Sequence, residues 1–187
     1  MVYNEELENF KPVRFSQTTI TELMVPGYAN FGGKIHGGVL LSLMDKVAYV
    51  CAAKHAGNYC VTASIDGVDF LQSVEVGELV SMMASVNYVG NTSLVVGIRV
   101  TSQNIKTNIV KHTNTSYFTM VAKDENNHPV KVPGLILENK EQVRRFVEGK
   151  RRKELKQGYR DEMKRIKAPV NFEHCLELLK NERCVMK

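Results

Sequence analysis

The sequence predicts an α+β fold: a five-stranded antiparallel sheet wrapped around one long, buried helix and followed by a basic helical tail. One strand-like segment precedes a single apolar helix pattern, and four strand-like segments follow it without helices between them. Such an order favours antiparallel pairing, with the helix on one face of the sheet. Positive charge collects after residue 137. We therefore expect one domain over residues 12–137 and a basic helical extension over residues 138–187.

The first strand is predicted over residues 12–25, which are rich in β-branched side chains and end at a Pro-Gly turn. Residues 28–38 follow as a loop with four glycines. From residue 39 to 54, apolar side chains recur at helical spacing and extend around most of the circumference. A helix this apolar is expected to be largely enclosed.

Four further strands are predicted over residues 59–70, 78–88, 93–103 and 111–122, with a hairpin turn at Gly90-Asn91. Asn139 and Gln142 then form a capping box at the start of a basic helix. We expect that helix to be interrupted near Gly149 or Gly158, and a last short helix to run from residue 171 to 182.

Composition and charge restrict the class of protein. The chain has 187 residues, of which 43% are hydrophobic and 24% charged, as in an ordinary soluble domain. It contains no run of about 18 apolar residues, and its first ten residues do not resemble a secretion signal, so we expect a cytoplasmic protein with no membrane span. Residues 1–137 carry 10 basic and 11 acidic side chains, a net charge of −1, whereas residues 138–187 carry 15 and 9, a net charge of +6.

Several catalytic motifs are absent. The sequence has no serine elbow, no phosphate-binding P-loop, no HExxH zinc motif and no strand-linked GxGxxG. Its four cysteines and five histidines show no metal-ligand spacing, so we expect no metal site. The segment that remains for chemistry is residues 29–45.

In this segment Asn30 precedes the glycine loop, which leads into a helix start at Gly37 and Gly38. Glycine is a weak helix former, but its bare backbone lets an oxygen with negative charge approach the unpaired N–H groups of the first helical turn. Asp45 lies about two turns further on, with Leu41 and Ala48 near it, and apolar surroundings would raise its proton affinity as a general base requires. The alternative interpretation of the glycines is a simple tight turn. The alternative for Asp45 is a surface acid beside Lys46, or an acid capped by a neighbouring chain.

These residues resemble a known family. Asn30, the GKIHGG run of residues 33–38, Asp45, the VTASID run of residues 61–66 and Phe70 resemble hotdog-fold acyl-CoA thioesterases, in the group of the bacterial broad-specificity short-chain enzymes and the brain-type cytosolic acyl-CoA hydrolase. Residues 132–135 and 145–150 are similar to the segment that follows the hotdog domain in the latter. The resemblance covers residues 12–153. One departure from the family pattern is Lys34 in the glycine loop, at a position where relatives vary.

The resemblance implies hydrolysis of acyl-CoA to a fatty acid and coenzyme A, which is part of substrate and product, so no separate cofactor is expected. It also implies a homodimer in which Asn30 of one protomer and Asp45 of the other face one thioester, with three dimers forming a hexamer. Thr62 and Ser64 are expected to bind substrate. Asp45 would activate water or attack directly, Asn30 would orient water or thioester, and the N–H groups of Gly37 and Gly38 would hold the carbonyl oxygen.

Three alternatives stay open. A hotdog dehydratase or hydratase would use His36 with a carboxylate, and an acyl-CoA sensor would bind without turnover. The basic tail could bind nucleic acid, but it lacks interleaved aromatic residues, so we expect no nucleic-acid partner. Because coenzyme A carries several phosphates, we instead expect Arg151 and Arg152 to bind it, unless they only solvate the helix or pair with acids of a neighbouring dimer.

Overall fold

The computed structural model describes residues 9–166, 172–180 and 182–186. The helices are α1 (Val13–Ser16), α2 (Gly37–Ala56), α3 (Lys140–Ile166) and α4 (Phe172–Leu178). The strands are β1 (Phe10–Pro12), β2 (Thr18–Leu23), β3 (Tyr59–Ile65), β4 (Glu78–Val89), β5 (Ser93–Asn104), β6 (Val110–Lys123) and β7 (Gly134–Ile136).

The main sheet has five antiparallel strands in the order β2-β4-β5-β6-β3, with α2 packed against it. This arrangement confirms the predicted fold class. Register shifts interrupt three of the strand pairs, between Thr62 and Ser64, Val86 and Tyr88, and Val100 and Thr101. Bulges of this kind bend a strand and increase its twist, so the sheet curls around the helix. Strand β3 forms one edge of the sheet.

The structure differs from the sequence predictions in several elements, among them β1 and β7, which pair as a separate two-stranded parallel sheet that the sequence does not predict. Residues 12–25 form the short helix α1 and then β2, and β3 ends at Ile65 and not at residue 70. Helix α3 is not interrupted. At Gly149 a Cβ atom would lie 2.6 Å from the Cβ of Tyr88, so this glycine allows close packing and does not break the helix. A short final helix is confirmed as α4; residues 171 and 181, within its predicted range, lie outside the described residues.

The core lies between α2 and the sheet. The buried face of α2 includes Met44, Val47, Ala48 and Cys51, none of which has any exposed surface. They pack against side chains from the inner face of the sheet, among them Val80, Met82, Val96, Ile98, Phe118 and Met120. These positions alternate along each strand, as expected for a sheet with one buried face.

The opposite face of α2 is open in the single chain, contrary to the expectation that the helix is largely enclosed. Asp45 and Lys46 are exposed there, and Tyr49 and Val50 keep 39% and 36% of their surface. The ring of Tyr49 lies 6.0 Å from that of Tyr59 on β3. The apolar side chains on this face of α2 are therefore available for contact with another molecule.

The chain divides into two compact units between Gly149 and Lys150. Before that point, α3 begins as predicted, because the Asn139 side chain accepts a hydrogen bond from the Gln142 amide at 3.0 Å. Phe146 then packs on Tyr88, with ring centroids 5.1 Å apart. Within the described residues, none of the helices combines the length and apolar character needed to span a membrane.

Candidate active site

The glycine loop is a tight hairpin that returns the chain to the start of α2. The Asn30 amide donates to the Lys34 carbonyl at 2.7 Å, and the His36 amide donates to the Tyr28 carbonyl at 2.8 Å. At the tip, Gly33 adopts a φ of 74°, which an L side chain rarely adopts. The hairpin therefore depends on glycine at this position, and it pairs Asn30 with Lys34, three residues before the start of α2.

The side chain of Asn30 is exposed but anchored. Its Oδ1 accepts hydrogen bonds from the backbone N–H of Gly32 at 2.9 Å and of Lys34 at 3.2 Å. Its Nδ2 has no partner among the described residues, so the group offered to a ligand is a donor. This Nδ2 can hold the oxygen of a water molecule or of a thioester carbonyl.

Helix α2 begins with a cap from His36. The His36 Nδ1 accepts a hydrogen bond from the Gly38 amide at 2.9 Å. The two-glycine donor pair expected from the sequence is therefore not free in this structure, because the Gly38 N–H has a partner. The Gly37 N–H has none in the described part of the chain. The ring of Phe70 lies against Gly37, where a Cβ atom would be 3.3 Å from its Cε2.

Asp45 lies eight residues after Gly37 and binds the edge strand. The Thr62 hydroxyl donates to Asp45 Oδ1 at 2.5 Å, and no described residue binds Oδ2. The carboxylate is exposed, so the predicted apolar surroundings are not provided by its own chain: Ala48 faces the core while Asp45 faces outward. One oxygen is thus fixed and the other is free to accept a proton from water.

Thr62 has a more specific contact than the general substrate contact expected for it, since its hydroxyl orients the Asp45 carboxylate. Ser64 is half-buried on the same strand, beyond the bulge, and pairs with Thr119 of β6. The bulge exposes both Thr62 and the neighbouring Ala63. The sequence gives no signal for such a bulge, which is why it could not predict the contact between Thr62 and Asp45.

The predicted coenzyme A ligands lie on α3, in the second unit. Arg151 is exposed and pairs with Glu154, with an N···O distance of 3.2 Å, and Arg152 is half-buried. Contact of these arginines with substrate stays a prediction.

Asn30 and Asp45 do not contact each other: among the described residues, no hydrogen bond or ion pair joins them. An α-helix rises 1.5 Å per residue, so Asp45 lies about 12 Å along the axis from Gly37. Within one chain, the described hydrogen bonds thus join neither Asn30 nor the Gly37 N–H to the Asp45 carboxylate. We call these two groups the Asn30 half and the Asp45 half.

Two grooves of about 250 Å³ and 380 Å³ lie on the outer face of the sheet, and neither is lined by Asn30 or Asp45. Both share four lining residues: Met83, Ser85, Arg99 and Arg145. Their position away from the two polar half-sites agrees with a substrate site that one chain does not enclose.

The two buried cysteines of the main domain are poor candidates for a nucleophilic thiol. Burial raises the pKa of Cys51 to about 12 and that of Cys60 to about 11, so both thiols are protonated at neutral pH and weak as nucleophiles. In the part of the chain that the structure describes, no three His, Cys, Asp or Glu side chains are grouped closely enough to hold a metal ion.

Comparison with known proteins identifies the family of this chain. Residues 32–109 match the family model of the thioesterase superfamily. Protein VdlD of Helicobacter pylori is 48% identical over 138 residues, which cover 73% of this chain and 79% of that protein. A hexameric acyl-CoA thioesterase solved without ligand is 37% identical, with a TM-score of 0.76 over 86% of this chain and 99% of its own.

The acyl-CoA hydrolase of Staphylococcus aureus, solved with butyryl coenzyme A, coenzyme A and coenzyme A disulfide, is 30% identical. Its TM-score is 0.77 over 84% of this chain and 96% of its own. Its solved variants carry alanine in place of an asparagine, of an aspartate 15 residues later, or of a threonine 17 residues after that aspartate. The chain belongs to the hotdog-fold acyl-CoA thioesterases.

Proposed function

We propose that this chain hydrolyses acyl-CoA thioesters to fatty acid and coenzyme A at a site shared by two copies. Asp45 comes from one copy, and Asn30 and Gly37 come from the other. The observation that carries this proposal is that no described contact joins Asn30 or Gly37 to Asp45 within one chain, while the face of α2 that carries Asp45 and the edge strand β3 are open. A second copy brings a thioester within reach of both.

The chemistry follows from the free atoms of each half. A water molecule between the copies donates a proton to Asp45 Oδ2 while Thr62 holds Oδ1 in place. The water oxygen attacks the carbonyl carbon, and the oxygen that gains charge accepts a hydrogen bond from the Gly37 N–H. The carbon–sulfur bond then breaks, and the Asp45 carboxyl returns its proton to the coenzyme A thiolate. Asn30 Nδ2 orients the water or the carbonyl.

Because the Gly38 N–H donates to His36, Gly37 is left as the single backbone donor for the thioester oxygen. Loss of one oxyanion donor typically costs about 3 kcal/mol, so a site with one backbone donor depends more strongly on a second donor. Asn30 Nδ2 is such a donor, since Oδ1 is already occupied. We therefore assign Asn30 to the thioester carbonyl in preference to the water.

Spacing in the Staphylococcus aureus hydrolase supports the choice of residues. The asparagine, aspartate and threonine replaced in its variants are separated by 15 and 17 residues. Asn30, Asp45 and Thr62 have the same types and the same separations. The three residues that the hydrogen bonds select here are thus the ones that correspond in the relative.

The assembly we propose is a dimer joined through β3 and the open face of α2, with three dimers in a hexamer. Strand β3 is an edge strand, and apolar surface is exposed by its Tyr59 and by Tyr49 and Val50 of α2. Covering this surface would bury the Asp45 carboxylate between two copies. The solved relative named as hexameric supports the larger assembly.

The activity is tested by measuring coenzyme A release from a panel of acyl-CoA substrates of different chain length, for the wild type and for Asp45→Ala. We expect release by the wild type with at least one chain length and about a hundredfold less by the variant. Acyl-CoA binding without any release would instead identify a sensor. The dehydratase alternative has weaker support, because His36 Nδ1 already accepts from Gly38. The cytoplasmic location expected from the sequence stays a prediction.

A further inference from the structure

An ion pair joins the hairpin of Asn30 to the loop that precedes β4. The Lys34 Nζ lies 2.6 Å from Glu75 Oε1 and 2.7 Å from Oε2. The backbones of the same two residues form an isolated antiparallel bridge, and the Ile35 amide donates to the Val74 carbonyl at 2.9 Å. Lys34 is therefore bound to this loop by both its main chain and its side chain.

Lys34 also binds Asn30 through both its backbone amide and its backbone carbonyl. Its amide donates to Asn30 Oδ1 at 3.2 Å, and its carbonyl accepts from the Asn30 amide at 2.7 Å. Movement of Lys34 would thus move the Asn30 carboxamide directly. The remaining anchor of that carboxamide is the amide of Gly32, in a glycine pair with little conformational restraint of its own.

Glu75 is in turn fixed to the sheet. Its amide donates to Glu78 Oε2 at 2.9 Å, and Ser73 donates to its Oε1 at 3.2 Å. Glu78 is 5% exposed and pairs with Lys111 at 2.9 Å. Hydrogen bonding from Lys34 holds the pKa of Glu75 below its usual range, so the carboxylate is charged at neutral pH. A continuous chain of polar contacts therefore runs from β4 and β6 to Asn30.

The ion pair is not needed for the stability of the fold. The Lys34 and Glu75 side chains keep 48% and 39% of their surface, and exposed pairs contribute at most about 1 kcal/mol. A small contribution to stability combined with a direct connection to a catalytic side chain is typical of a positioning contact.

We propose that Glu75 is a positioning residue for hydrolysis: through Lys34 it fixes the carboxamide of Asn30 so that Nδ2 points at the thioester. The inference rests on the proposed function, since it assumes that Asn30 acts on the substrate. Neither Glu75 nor Lys34 touches the thioester in this account. Glu75 lies 45 residues after Asn30 in the sequence, and no motif connects the two.

Charge reversal tests the proposal. Glu75→Lys places two cations together and should lower kcat about tenfold with little change in KM, because misplacement of a reacting group lowers the rate at saturating substrate. The double variant Lys34→Glu with Glu75→Lys restores the pair and should recover most of the loss. Glu162→Lys breaks another exposed pair, between Arg165 and Glu162 on α3, and should stay within about twofold of wild type. Failure of the double reversal to recover kcat would overturn the proposal.

A double-mutant cycle identifies Asn30 as the residue through which Glu75 acts. In an Asn30→Ala background, Glu75→Lys should cause no further loss of kcat, because the group it positions is gone. A full additional tenfold loss would show that Glu75 acts elsewhere. If Asn30→Ala itself keeps wild-type turnover, both this inference and the proposed role of Asn30 are wrong.

A measurement without turnover separates the inference from the proposed function. Hydrogen exchange of the Gly32 and Lys34 amides, which donate to Asn30 Oδ1, should be about fivefold faster in Glu75→Lys than in wild type. Unchanged exchange would overturn the positioning role even if the protein hydrolyses acyl-CoA. Faster exchange in a protein that releases no coenzyme A would support the contact and reject the hydrolase.

Discussion

The two halves of the proposed site are held in different ways. Asp45 lies in the middle of a 20-residue helix whose opposite face is packed in the core, and one hydrogen bond from Thr62 is enough to orient it. Asn30 lies in an exposed glycine hairpin and needs two backbone donors for its side chain and an ion pair beyond them. A catalytic group on a packed element takes its rigidity from the core, whereas a group on a loop needs contacts built for it.

The largest effect should come from removing either half. Asn30→Ala and Asp45→Ala should each lower kcat at least about a hundredfold, since one loses a donor at the thioester and the other loses the general base. Steady-state kinetics, with circular dichroism and the oligomer size as folding controls, check this. Near-wild-type turnover in the aspartate variant would contradict the mechanism.

Glu78, which accepts a hydrogen bond from the Glu75 amide and so supports the loop bound to Lys34, should contribute to the stability of the fold. Burial raises the pKa of Glu78, but hydrogen bonds from the Glu75 amide, Ser102 and Lys111 lower it more, so the net pKa is depressed. Glu78→Gln should lower the free energy of unfolding by about 2 kcal/mol at neutral pH, because it leaves a partly buried Lys111 without its counter-charge.

The pH dependence of that stability has a defined sign. A group with a depressed pKa in the folded state stabilises the fold at neutral pH, and the contribution is lost as the pH falls below the ordinary value of 4.5. The difference between wild type and Glu78→Gln in urea unfolding should therefore shrink between pH 7 and about pH 3.5. A difference that stays constant would show that Glu78 acts through packing alone.

On the Asp45 half, the contact to break is the one from Thr62. Thr62→Val keeps the shape of the side chain and removes the hydroxyl, and it should lower kcat about tenfold because the carboxylate is then free to rotate. Thr62→Ser keeps the donor and should retain most of the activity. Equal kcat values for the valine and serine variants would mean that the hydrogen bond does not position Asp45.

A smaller effect is expected outside both halves, on the basic helix. Changing Arg151 and Arg152 to glutamine should raise KM for acyl-CoA about fivefold, weaken its dependence on salt and leave kcat nearly unchanged, because the arginines would meet only the phosphates of coenzyme A. An unchanged KM together with an altered oligomer size would assign the arginines to assembly.

The two halves also differ in how far the sequence could predict them. Local patterns identify the helix around Asp45 and the glycine loop after Asn30, because helical periodicity and glycine spacing act over a few residues. The bulge that exposes Thr62 and the pair between Lys34 and Glu75 depend on segments that meet only in the fold. The cap of Gly38 by His36 is local, but a histidine is not among the usual capping residues, so the pattern did not indicate it.

The end of β3 and the continuity of α3 show the same limit. The sequence predicts a strand to residue 70, yet the regular ladder of β3 with β6 ends at Ile65. Beyond it, the Asp66 and Leu71 amides still donate to β6, at the Tyr117 and Thr113 carbonyls. In α3, Gly149 predicts a break from its low helix propensity, but its packing against Tyr88 overrides that preference.

Mixing two inactive variants tests the shared site most directly. Dimers formed by subunit exchange between Asn30→Ala and Asp45→Ala chains have one site with both residues changed and one with both intact. An equal mixture should recover about a quarter of wild-type turnover, because about half of the dimers are mixed and each has one of two sites intact. The control mixes Asn30→Ala with the double variant, which forms no intact site. Turnover that stays at the level of the parent variants, with exchange verified, would show that Asn30 and Asp45 act within one chain and would contradict the account.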